Sequence, residues 1–144
     1  MGKYRKGSHT KTRISIHLVW ITKYRYKVLV GELQSRCREI LIQDCDRMEI
    51  EILKGVVGKN HVHMHIEYPP KLSISEIIKQ LKGRSSLILQ REFPELKRRY
   101  WGRRFWAKGY GGWSTGNITD DMVQKYIEHH REQSNEDKSN FFLE

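Results

Sequence analysis

Nowhere do the 144 residues approach the roughly 18 consecutive apolar positions that a membrane span needs. The opening stretch MGKYRKGSHTKTR also lacks the apolar segment of a secretion signal. A cytoplasmic protein with no membrane partner is therefore expected. Cysteine is scarce: Cys37 and Cys45, eight residues apart in a helix-like stretch, are too few for a disulfide framework or a four-thiolate zinc site. They read as core or surface thiols. Repeats and low-complexity tracts are absent. The length allows one domain, 1–144, with a core over about 12–133, a basic arm at 1–11 and a polar tail at 134–144. A larger two-domain enzyme is excluded, little room is left for a separate nucleic-acid-binding module, and a chain this short gains from dimerisation.

Acidic residues are also few, and their distribution is uneven. The chain carries 27 Lys+Arg against 17 Asp+Glu, a formal charge of +10. Eight of those cations precede the first acid, Glu32. A second basic block, 82–108, holds nine cations against Glu92 and Glu95, with Phe93, Tyr100, Trp101, Phe105 and Trp106 interleaved. Cations can neutralise phosphates while rings stack on unpaired bases, so the pattern suits a nucleic acid. An anionic membrane surface, or a solvated basic face over core aromatics, would give the same composition.

Hydrophobic periodicity organises the rest. Alternation over 13–22 (RISIHLVWIT) puts Ile14, Ile16, Leu18 and Trp20 on one face of a first strand, leaving the more polar His17 and Arg13 on the other. A helix is predicted over 32–48. Alternation returns over 49–57, and Gly58-Lys59-Asn60 reads as a hairpin turn into a strand at 61–68, stopped by Pro69-Pro70. Ser73 with Glu76 forms a capping box for a second helix running towards Arg91. A fourth strand is predicted over 105–112, loosened by its glycines, and Thr119 or Asp120 can cap a final helix, 121–133. The order β-α-β-β-α-β plus a helix gives an α+β fold of ferredoxin-like type, a four-stranded antiparallel sheet with two helices on one face and the other face open. Such a fold does not choose among nucleic-acid binding, metal binding and catalysis.

The most informative segment is His61-Val62-His63-Met64-His65. Residues at i, i+2 and i+4 of a strand share a face, so three imidazoles project together, and neighbouring imidazoles can share one divalent metal. A polar solvent-facing row is the plain alternative. On the last helix Tyr126 and His130 stand at i and i+4, presenting a phenol and an imidazole on one face. Were that face to lie over the histidine strand, His130 could complete a metal site beside a tyrosine hydroxyl. Otherwise Tyr126 is an amphipathic interface residue.

These residues resemble the HUH-type single-tyrosine transposases of prokaryotic insertion sequences, the IS200-like kind. The resemblance rests on five segments in order: His17-Leu-Val-Trp-Ile-Thr-Lys-Tyr-Arg-Tyr-Lys27; Asn60-His-Val-His-Met64 with Pro69-Pro70-Lys71; Leu81-Lys-Gly-Arg-Ser-Ser86; Arg104-Phe-Trp-Ala-Lys-Gly-Tyr110; and Tyr126-Ile-Glu-His129. It implies that His61 and His63 ligate a divalent metal (Mg2+ or Mn2+) and that Tyr126 is the nucleophile. His130 would be the third ligand, where relatives usually carry glutamine. Asn60 stands where aspartate is common, and His65 where relatives are apolar. The resemblance further implies cleavage and rejoining of single-stranded DNA through a 5′-phosphotyrosine intermediate, hairpins at the element ends, and a homodimer. Arg103, Arg104, Trp106 and Lys108 are the candidates for phosphate contact and base stacking. Two other readings remain: a non-catalytic ferredoxin-like nucleic-acid-binding protein, and a metal-sensing or storage protein built on the histidine row.

Overall fold

The computed structural model describes residues 13–98, 104–114 and 119–136, with side chains in the last helix up to His129. Four strands, β1 (Ile14–Ile21), β2 (Glu51–Val57), β3 (His61–Tyr68) and β4 (Gly111–Trp113), form one sheet in the order β2-β3-β1-β4, every pair antiparallel. Three α-helices accompany it: α1 (Gly31–Arg47), α2 (Ile74–Glu92) and α3 (Asp120–Glu136). The expected α+β, ferredoxin-like arrangement is the one observed.

The alternation of β1 and β3 decides which face is filled. Leu18, Trp20, Val62 and Ile66 have no exposed surface and Met64 almost none; they pack against Ile40 and Leu41 of α1 and Ile77, Leu81 and Leu89 of α2. Both cysteines are buried in this core, and burial pushes each thiol up to about 12. They are inert core residues at neutral pH. The capping box forms as spaced: Glu76 N–H donates to Ser73 Oγ at 3.1 Å, and Ser73 N–H donates to Glu76 Oε1 at 2.9 Å. No helix among the described residues is long and apolar enough to cross a membrane.

The fourth strand differs from its predicted span. It is three residues long and begins at Gly111, while Trp106 makes only an isolated bridge to Thr22. Lys82 of α2 explains the break, because its ammonium donates to both the Ala107 and Gly109 carbonyls at 2.8 Å. Those acceptors are drawn off the sheet, and Gly109, at φ +84°, turns the chain before pairing resumes. The second difference concerns the open face. It is partly covered by α3, whose Val123, Tyr126 and Ile127 form a small apolar cluster with Val19 and Ile21 of β1.

Candidate metal and nucleophile site

Cross-strand pairing fixes which side chains share the α3 side of the sheet. His61 lies opposite Ile21, His63 opposite Val19 and His65 opposite His17. Directly opposed residues project to the same face, so the histidine row and the apolar patch under α3 are neighbours. The His17 and His65 rings stack at 3.8 Å with 12° between their planes, and His17 lies 5.6 Å from the His63 ring. All four imidazoles are half-buried.

His61 is held from two sides. Its Nδ1 lies 3.1 Å from Asn60 Oδ1, and its ring rests on the α-carbon of Gly58, where a Cβ would stand 2.5 Å from Cε1. His63 Nε2 is buried and has no hydrogen-bond partner among the described residues. Burial lowers the pKa of His61. Burial also lowers that of His63, aided by repulsion from His17 and His61 whenever they are protonated and from Lys54, and opposed by the carboxylate of Asp120. Both imidazoles are thus neutral at pH 7, the form that ligates metal. Their donor chemistry and the unsatisfied His63 nitrogen fit a divalent cation. No group of three or more metal-ligating side chains is gathered among the described residues. His130 lies in α3, but its side chain is outside the described set.

Tyr126 is 7% exposed. Its ring meets Trp113 edge-on at 6.2 Å and lies so close to Gly111 that a Cβ there would stand 3.0 Å from two ring carbons. A glycine in β4 therefore lets α3 settle on the sheet. At the start of α3, Thr119 Oγ1 accepts from Met122 N–H at 3.2 Å, which makes Thr119 the cap. Asp120, next to it, makes the smallest contribution to the electrostatics of His63. In the sequence Gly58 looked only like a turn residue.

The basic block separates into two groups. Arg104 and Lys108 are exposed, whereas Arg103 lies outside the described residues. Trp106 corrects the expectation of base stacking: it is 4% exposed, donates from Nε1 to Ser85 Oγ at 2.8 Å, and sets its ring edge-on to Trp20 and Phe105. A base reaches neither of its faces without opening the core. Ser85 in turn donates to the Leu81 carbonyl at 2.6 Å.

The family model described as transposase, IS200-like, matches residues 10–130. The transposase for insertion sequence element IS200 of Salmonella typhimurium is 36% identical over 133 residues, 92% of this chain and 87% of that protein. The ISDra2 transposase TnpA of Deinococcus radiodurans is 32% identical over 124 residues, 86% and 89% of the two chains. Among solved structures, a Deinococcus radiodurans R1 chain described as a transposase superposes with a TM-score of 0.78 at 31% identity, covering 88% of this chain and 97% of its own. A REP-associated tyrosine transposase bound to a REP hairpin shares the fold, with a TM-score of 0.54 at 14% identity over 95% and 75% of the two chains. A match that runs through nearly the whole sheet and all three helices, with relatives above 30% identity over most of their length, makes this protein a member of the IS200-like transposase family.

Proposed function

We propose that this transposase cleaves and rejoins single-stranded DNA at the ends of its element, with Tyr126 as nucleophile and His61 and His63 as metal ligands. The observation that carries the reading is the shared sheet face: Tyr126 packs on Val19 and Ile21, the cross-strand neighbours of His63 and His61. Two neutral imidazoles and a phenol thereby share one face of the sheet, which supports the reading.

A bound Mg2+ or Mn2+ would polarise the scissile phosphate and favour departure of the leaving oxygen. His61 and His63 hold their lone pairs for it, and Gly58 and Asn60 fix the His61 ring. The Tyr126 oxygen attacks phosphorus, the P–O3′ bond breaks, the phenolic proton is lost, and the leaving oxygen takes up a proton as a free 3′-OH. The 5′-phosphotyrosine keeps the free energy of the broken bond, so a 3′-OH can attack it and reseal a strand without external energy. Arg104 and Lys108, with Arg103, supply phosphate contacts. The hairpin held by the REP-associated relative supports folded single strands as the DNA partner.

Membership of the family supports a homodimer in which Tyr126 and His130 serve either their own subunit's histidine pair or the partner's. The buried state of Tyr126 fits a resting position of α3.

The test is incubation with single-stranded DNA from the flanks of the gene and Mg2+ or Mn2+, read on a denaturing gel. A covalent protein–DNA band is expected from the wild type and none from Tyr126→Phe. Salt-sensitive binding with no adduct would instead make the protein a non-catalytic nucleic-acid binder.

A further inference from the structure

The segment between β1 and α1 belongs to none of the roles above, and its geometry is costly. Tyr24 has φ 63° and ψ 9°, and Arg25 follows at φ 54°. Left-handed backbone disfavours a bulky side chain, and two such residues in succession persist only where the surroundings impose them. Here they do. Thr22 N–H donates to the Asn60 carbonyl at 3.0 Å, Lys23 N–H to the Phe105 carbonyl at 2.9 Å, and Leu29 N–H to the Lys59 carbonyl at 2.9 Å. Inside the turn, fully buried Thr22 donates from Oγ1 to the Tyr26 carbonyl at 2.7 Å.

The strained residue does not use its ring to fill the core. Tyr24 is 60% exposed. Its ring leans on half-buried Tyr26 at 5.2 Å, and the Lys23 ammonium lies 5.1 Å from its centroid. Arg25 and Lys27 follow closely in the sequence, and no acid precedes Glu32. An exposed ring beside a lysine ammonium, on a backbone fixed at both ends, matches the platform on which unpaired bases stack while phosphates meet charge. Its position is also suited to the site. The turn continues β1 past Ile21, which pairs with His61, and three residues of extended chain span at most about 11 Å. A strand with one phosphate at the His61–His63 pair has bases only a few nucleotides away at this turn.

We propose that Tyr24 is a stacking platform for an unpaired nucleobase of the DNA strand that enters the metal site. This rests on the single-stranded DNA reading above and adds a binding residue to it. The test is fluorescence anisotropy in metal-free buffer, where no cleavage occurs, with labelled single-stranded DNA from the gene's flank and a blunt hairpin as control. Tyr24→Gly removes the ring and relieves the backbone, so its melting temperature should be unchanged or raised. It should bind the unpaired strand about tenfold or more weakly, the range expected for base–aromatic stacking, while Tyr24→Phe stays within about twofold. All three proteins should bind the hairpin control alike. One abasic nucleotide along the strand should weaken the wild type to the same extent and leave Tyr24→Gly unaffected, because the two changes remove one contact. Tyr24→Gly binding the unpaired strand as tightly as the wild type overturns the proposal alone. A wild type that fails to bind unpaired DNA overturns it together with the functional reading beneath it.

Discussion

Replacing Gly58 with alanine separates the stability of the fold from the geometry of the proposed metal site. The new Cβ would stand 2.5 Å from Cε1, 2.9 Å from Nδ1 and 3.1 Å from Nε2 of His61. Ordinary contact begins near 3.4 Å, so the ring has to retreat by about 1 Å. Because the obstacle is the end of a half-buried side chain, the ring can swing away, at about 0.5–1.5 kcal/mol for a side chain forced off its rotamer. Replacing a glycine whose backbone lies outside the left-handed region returns about 0.4–1 kcal/mol through the unfolded chain. The melting temperature of the metal-free protein should therefore move by only a few degrees. The site is less tolerant. Metal–ligand distances hold within about 0.2 Å, and the swing also breaks the 3.1 Å contact between His61 Nδ1 and Asn60 Oδ1. Mn2+ affinity by calorimetric titration should fall about 10- to 100-fold, the loss seen when support around a metal ligand is removed. Cleavage should fall about 100-fold for a 1 Å misplacement. A Gly58→Ala protein that binds Mn2+ as the wild type does would refute this, and so would one that loses binding because it has unfolded.

Two further predictions follow from buried polar groups. Ser85→Ala leaves the Trp106 indole N–H buried without its acceptor, which should lower stability by about 1–3 kcal/mol in urea denaturation; affinity for single-stranded DNA should stay within about twofold of wild type, whereas a tenfold loss would return Trp106 to the DNA interface. The lowered pKa values of His61 and His63 set a pH dependence. Below about pH 6.5 the unfolded chain takes up protons that the folded chain does not, so metal-free stability should be level above that pH and fall below it. His63→Gln should flatten the slope, and an unchanged slope in that variant would contradict the assignment.

Much of the fold was legible because it depends on local pattern. Period-two alternation marks β1 and β3, and the Ser73–Glu76 spacing marks the start of α2 with no tertiary information. The histidine row is legible for the same reason, since strand geometry alone puts His61, His63 and His65 on one face. Residues whose role depends on what lies across the fold were not legible. Trp106 sits among cations in sequence, and only Ser85 and Trp20 show that its ring belongs to the core. Lys82 looks like one more phosphate contact in a basic block, yet its ammonium holds the Ala107 and Gly109 carbonyls and so shortens β4. Asp120 resembles a helix cap, while Thr119 does the capping. Gly58 serves as a turn residue in one dimension and as a seat for an imidazole in three.

The central claim is that the DNA becomes joined to Tyr126. Protein incubated with flank-derived single-stranded DNA and Mn2+ can be digested with nuclease and protease, and the nucleotide-bearing peptide sequenced by mass spectrometry. The modified peptide should contain Tyr126, with the nucleotide joined through its 5′-phosphate. A nucleotide on any other tyrosine, or no modified peptide while strand scission proceeds, would contradict the account.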